Sequence, residues 1–220
     1  MPEKRSNAST SSMEGDSQDL HLQSKLRTIR MADASGAGAG LLALLTGMAV
    51  MGAAGDVLRV YEETHLPSEF WLPLWPEEMN SAPTIALVVA GAVVALANVV
   101  GLAFHHVGAL RAQTSLHQIL TFLTPLLGFI ASLAAISVYY AADASDAHDT
   151  VLSWTCRWRD VPMSQAPHWG PLCAQSRAAL YLAVMLVPLE AAALALAGVR
   201  ARVVRYTERY LDARKTPVLN

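Results

Sequence analysis

The sequence predicts an all-α fold: a bundle of four transmembrane helices with cytosolic termini and two exterior loops. Three observations carry that expectation. Four apolar stretches fall near 38–60, 84–104, 119–140 and 178–199. Each meets the roughly 20 residues that a helix needs to cross a hydrocarbon core about 30 Å thick. Within that core a backbone satisfies its own hydrogen bonds only as helix or closed barrel. The composition agrees, with 53% hydrophobic and 15% charged residues and a mean hydropathy of +0.32. The third observation is how the basic residues are sorted along the chain.

Of the 16 Lys and Arg, twelve lie before the first span, between spans two and three, or after the last. The other four are Arg59, Arg157, Arg159 and Arg177. Basic residues stay cytosolic, which places both termini inside. The first exterior loop fits, since Glu62, Glu63, Glu69, Glu77 and Glu78 stand in it without a basic residue. The first 35 residues lack the early apolar core of a cleavable signal, so the first span is expected to act as an uncleaved anchor. The expected site is a plasma or secretory-pathway membrane.

Residues 1–35 form the N-terminal segment. Their first 19 are polar and should be disordered. Leu22, Leu26 and Ile29 then recur at helical spacing among Lys25, Arg27 and Arg30. That pattern suits either a short amphipathic helix on the inner leaflet or an unstructured linker. The transmembrane domain is expected over 36–200. Its first span is dense in small residues, with Ala43 and Gly47 four apart, and the second repeats the spacing at Gly91 and Ala95. Small residues at that interval let helices approach closely in lipid, within the bundle or across a homodimer face.

The first exterior loop holds Phe70-Trp71-Leu72-Pro73-Leu74-Trp75-Pro76. Its prolines bar a regular helix, and its rings favour the membrane boundary or a cap on the bundle. The second exterior loop, about 141–177, holds both cysteines, Cys156 and Cys173. Two cysteines in one loop on an oxidising face are expected to form a disulfide. Residues 201–220 form a basic tail that continues as helix. Arg200, Arg202, Arg205 and Arg209 are expected to contact lipid headgroups, each contributing about 1 kcal/mol near an anionic leaflet.

Ionisable groups inside a span are costly and often functional. Glu190 lies deep in the fourth span, two residues after Pro188. Asn98 on the second span, Thr124 on the third and Thr46 on the first fall at a similar depth, so one polar layer could join all four. There Glu190 either fixes helix register or relays protons. Asp56 and Arg59, three apart, look like an interfacial ion pair. His105, His106 and His117 fall near the inner ends of spans two and three, too shallow for a haem pair. The cysteines are 17 apart rather than Cys-x-x-Cys. No protease, phosphate-loop or nucleophile-elbow motif occurs. No catalytic residue, cofactor, metal or nucleic-acid partner is therefore expected.

In its inner termini, short inner loop, two outer loops and basic tail, the chain over 36–200 resembles tetraspan membrane organisers: MARVEL-type proteins, claudins and their fungal relatives. Claudins carry a Trp and a Cys pair in the first outer loop, whereas Trp154, Cys156 and Cys173 stand in the second. Tetraspanins carry a Cys-Cys-Gly motif that is absent. A MARVEL-like or fungal tetraspan fits best. The resemblance implies a non-enzymatic protein that organises membrane lipids or partner proteins, and the small-residue helix faces suit other membrane proteins or self-association. The alternatives are a small transporter or proton-coupled channel using Glu190, and an accessory subunit of a membrane enzyme complex.

Overall fold

The computed structural model describes residues 6–65, 74–76, 78–106, 114–145 and 148–215. Five helices account for nearly all of them: α1 (Ser6–Thr64), α2 (Ala82–His106), α3 (Thr114–Ala144), α4 (Val151–Arg157) and α5 (Trp169–Lys215). Among the described residues there is no strand, only an isolated parallel bridge between Asn80 and Thr150. Four stretches are long and apolar enough to cross a membrane: Arg30–Thr64, Ala82–Phe104, Ile119–Ala144 and Trp169–Tyr206. Each long helix also shows bulky apolar side chains to the outside. Leu45, Leu96, Ile130 and Met185 are all more than half exposed. Such an apolar exterior would aggregate in water, and hydrocarbon is the solvent that suits it. The chain is an integral, multi-pass membrane protein.

Two compact units make up the chain. Gly38–Leu194 is the larger, and its core is small and aliphatic. Ala43, Val50 and Ala54 of α1 meet Leu87, Ala90 and Val94 of α2, with Ala135 of α3 and Ala179, Ala183 and Leu186 of α5. The two glycines at small-residue spacing face each other across this core. A Cβ added at Gly91 would lie 2.8 Å from the Gly47 carbonyl oxygen and 2.8 Å from the Met51 nitrogen. One added at Gly47 would lie 3.0 Å from Val94 Cγ1. Here α1 and α2 run antiparallel at backbone contact, which only a hydrogen in place of a side chain permits. The same small-residue spacing thus packs the bundle internally.

Met1–Ala37 and Ala195–Asn220 belong to the second unit. Within it Arg200 Nε lies 3.0 Å from Asp33 Oδ1, and both side chains are largely buried. Where disorder is expected over the first 19 residues, α1 is helical from Ser6; residues 1–5 of that stretch lie outside the described residues. An isolated polar segment cannot sustain a helix. Continuation of a long helix removes the nucleation cost. The tail beyond the fourth span is helix to Lys215, as its sequence predicts. Arg202 and Arg205 are exposed on it, while the Arg209 side chain lies outside the described residues.

Candidate functional site

Two places in the larger unit concentrate polar chemistry. The first lies among the spans. Glu190 of α5 is 1% exposed and Asn98 of α2 is 4% exposed. Asn98 Nδ2 donates to Glu190 Oε1 at 3.2 Å and to the Val94 carbonyl of its own helix at 2.9 Å. Glu190 Oε2 has no hydrogen-bond partner among the described residues. The carboxyl fits because Gly128 of α3 has no side chain. A Cβ there would lie 2.6 Å from the carboxyl carbon. Gly40 of α1 closes over the amide, with its missing Cβ position 3.3 Å from Asn98 Oδ1. Two glycines thus make the recess that a carboxyl–amide pair fills.

The other two residues of the expected layer go elsewhere. Thr46 Oγ1 donates to the Leu42 carbonyl at 2.8 Å, one turn back on its own helix. At the level of Asn98, α1 supplies Gly40 instead. Thr124 packs against α2 at Gly101, where an added Cβ would meet its Oγ1 at 3.1 Å. Ser132, which the sequence reading passed over, is 1% exposed and donates to the Gly128 and Phe129 carbonyls at 2.9 and 3.0 Å. It steadies the backbone that carries the recess. Pro125 of α3 and Pro188 of α5 each remove one helical hydrogen bond near this layer.

The second place is a cap over the loop end of the unit. Cys156 and Cys173 form a disulfide, with Cα atoms 4.8 Å apart. It joins α4 to the first turns of α5. Trp75, 2% exposed, sits between Tyr61 and Trp169, with ring centroids 5.0 Å from each and near-perpendicular planes. Its indole N–H donates to Thr64 Oγ1 at 2.9 Å. The described part of the aromatic-proline segment is therefore a plug, while residues 66–73 lie outside the described residues. Backbone and side-chain bonds sew the two loops together. Asn80 N donates to the Asp149 carbonyl at 3.1 Å, and Trp154 Nε1 to the Leu74 carbonyl at 3.2 Å.

Helix α4 was not foreseen, although Thr150 and Ser153 announce it. Thr150 Oγ1 accepts from Ser153 N and Ser153 Oγ accepts from Thr150 N, a reciprocal cap. Hydroxyls can replace the usual Glu or Gln at the third position, and that was the missed signal. Around the cap, Arg157 grips Asp149 with two nitrogens at 2.9 and 3.1 Å. His148 Nδ1 lies 3.2 Å from Glu78 Oε2. The expected pairing of Asp56 with Arg59 is replaced. Arg59 bonds Glu63 at 2.7 Å, and Asp56 accepts from Gln175 at 3.0 Å. The i,i+4 partner lies one helical turn away on the same face, the spacing that favours such pairs.

Two open grooves flank the cap. One, of about 320 Å³, is lined by polar groups of Asp143, His148, Asp149, Ser153 and Arg157. The other, of about 480 Å³, lies between the loop after α4 and the start of α5. Among the described residues no cluster of three or more His, Cys, Asp or Glu side chains is placed to hold a metal. His105, His106 and His117 lie outside the described side chains. The polar layer offers one carboxyl with one amide donor, a pair able to fix register or exchange a proton. Comparison with protein-family models, with curated proteins and with solved structures gives no match for this chain.

Proposed function

We propose that this chain is a non-catalytic organiser of membrane lipids or partner proteins. The cap carries this reading. A disulfide, a tryptophan plug and inter-loop hydrogen bonds make a fixed surface at the end of the bundle, the kind that a partner can recognise without an ordering cost. Both termini face the cytosol, with the cap on the oxidising side, as the sorting of basic residues and the compartment preference of disulfides support. The membrane is the plasma membrane or one of the secretory pathway. The exposed Arg202 and Arg205 meet anionic headgroups there. Affinity purification of the full chain in mild detergent tests the reading. Specific co-purifying membrane proteins or lipids support it. Solute flux in proteoliposomes that depends on the polar layer refutes it.

One observation favours a second reading, a proton-coupled carrier. Glu190 keeps one carboxyl oxygen without a hydrogen-bond partner among the described residues, and prolines that each remove a helical hydrogen bond stand close by in α3 and α5. Intramembrane carboxyls of that kind often belong to proton relays. Under this reading Glu190→Gln abolishes flux while the protein still folds. Under the organiser reading the same variant folds and retains its partners.

A further inference from the structure

The larger groove sits where a loop overhangs the lipid-facing side of a span. Its floor is one face of α5, on which Cys173, Arg177 and Tyr181 follow at helical spacing. Its overhang is the Arg159–Asp160 turn, whose Arg159 carbonyl lies 3.4 Å from the position of a Cβ at Gly170. The uninterrupted apolar run of the fourth span follows Arg177, which puts Arg177 toward the loop end of that span. Below it the same face stays bare, with Tyr181 64% and Met185 63% exposed.

The charges are uneven. Arg59, Arg157 and Arg159 all have an acidic partner at this end of the unit. Among the described residues, Arg177 makes no hydrogen bond or ion pair. Arg159 and Asp160 pair at 3.3 Å, so the corner as a whole carries one uncompensated positive charge. The disulfide holds its two arginines in place. Arg159 follows Cys156 by three residues and Arg177 follows Cys173 by four, so the bridge fixes both guanidinium stems to one corner.

We propose that this corner binds a membrane phospholipid, its phosphodiester held by Arg177 and Arg159 and one acyl chain laid along Tyr181 and Met185. Guanidinium groups bind phosphate oxygens through paired, charge-assisted hydrogen bonds. A phosphodiester carries a single negative charge, which matches the charge of the corner. The bare face beneath runs along the direction that a lipid tail takes from its headgroup. A soluble phosphate would satisfy the arginines and leave that lane unused. The proposal rests on the lipid branch of the organiser reading and gives it a specific site.

The test is native mass spectrometry of the full chain extracted from vesicles containing phosphatidylglycerol, phosphatidylcholine and diacylglycerol. Wild-type protein is expected to retain one phospholipid through delipidation and to retain no diacylglycerol, which lacks the phosphate. Arg177→Gln and Arg159→Gln are each expected to reduce retention at least about tenfold. Arg157→Gln, in the same loop but turned to Asp149, is expected to leave it unchanged. Met185→Asn, which keeps both arginines, is expected to weaken it as well. Equal retention by the double arginine variant overturns the proposal, and so does equal loss in Arg157→Gln. Displacement by inorganic phosphate with no dependence on Met185 overturns the lipid assignment. Retention of diacylglycerol does the same, and it needs no variant to fold. Partner proteins that co-purify after the corner is found empty leave the organiser reading standing without this site.

Discussion

Replacing Gly91 with alanine tests the helix seam directly. The new methyl would meet the Gly47 oxygen and the Met51 nitrogen at 2.8 Å, both of them backbone atoms that cannot rotate away. Ordinary contact begins at 3.4 Å, so α1 and α2 must part by about 0.6 Å. A radial gap of about 0.5–1 Å forfeits roughly a quarter to a half of the dispersion energy between facing atoms. Overpacking of this kind typically costs about 1–3 kcal/mol. Alanine also gains about 1 kcal/mol in helix propensity over glycine, which masks part of the loss. Gly52→Ala supplies the correction, because Gly52 is exposed on α1, the other helix of the seam, with nothing within 4 Å of an added Cβ. The difference between the two variants, measured by reversible unfolding in detergent or by steric trapping, should be about 1–3 kcal/mol in favour of Gly52→Ala. A Gly91→Ala protein as stable as Gly52→Ala would refute the close-contact seam.

Other expectations are simpler to state. Gly128→Ala should destabilise the bundle by driving a methyl into the Glu190 carboxyl; Glu190→Ala should rescue it and the nearly isosteric Glu190→Gln should not, read by thermal melting in detergent. Asn98→Leu should cost about 1–2 kcal/mol, the scale of polar contacts in lipid, and unchanged stability would deny the pair its structural role. Removing the disulfide by Cys156→Ser with Cys173→Ser should lower stability by about 3 kcal/mol in the chain-entropy model for a loop of this length, whereas free thiols in intact cells would contradict the bridge outright. Thr150→Ala should loosen α4 by about 0.5–2 kcal/mol, seen as faster amide exchange over 151–157 with the spans unaffected. Cysteine labelling of the tail should succeed only from the cytosolic side.

Spans were legible because hydropathy summed over about 20 residues is a strong signal that no tertiary contact reverses. The pairing of Glu190 with Asn98 was legible by counting depth along two spans that run the same way. Thr46 was misplaced by the same counting. Depth gives height in the bilayer but not rotation about the helix axis, and a hydroxyl can turn back to its own i−4 carbonyl, as Thr46 does on Leu42. Gly40 and Gly128 could not be read as a recess from sequence, since a glycine announces space only once its neighbour is known. Helix α4 was missed because seven residues carry too little periodicity to register. The ion pair of Asp33 with Arg200 joins residues far apart in the chain, which no local window contains.

The cap also sets where this unit can bend. Thr64 with Trp75, Asn80 with Asp149, and Cys156 with Cys173 fasten the loop ends of the spans to one another. Each span is then a beam anchored at one end. Glu190 stands 17 residues along α5 from Cys173, about 25 Å from that bridge at 1.5 Å per residue. A tilt of about 5° there moves the carboxyl by about 2.2 Å on that lever, against the 3.2 Å length of its bond to Asn98. Any rotation at the fastened end is therefore magnified at the polar layer.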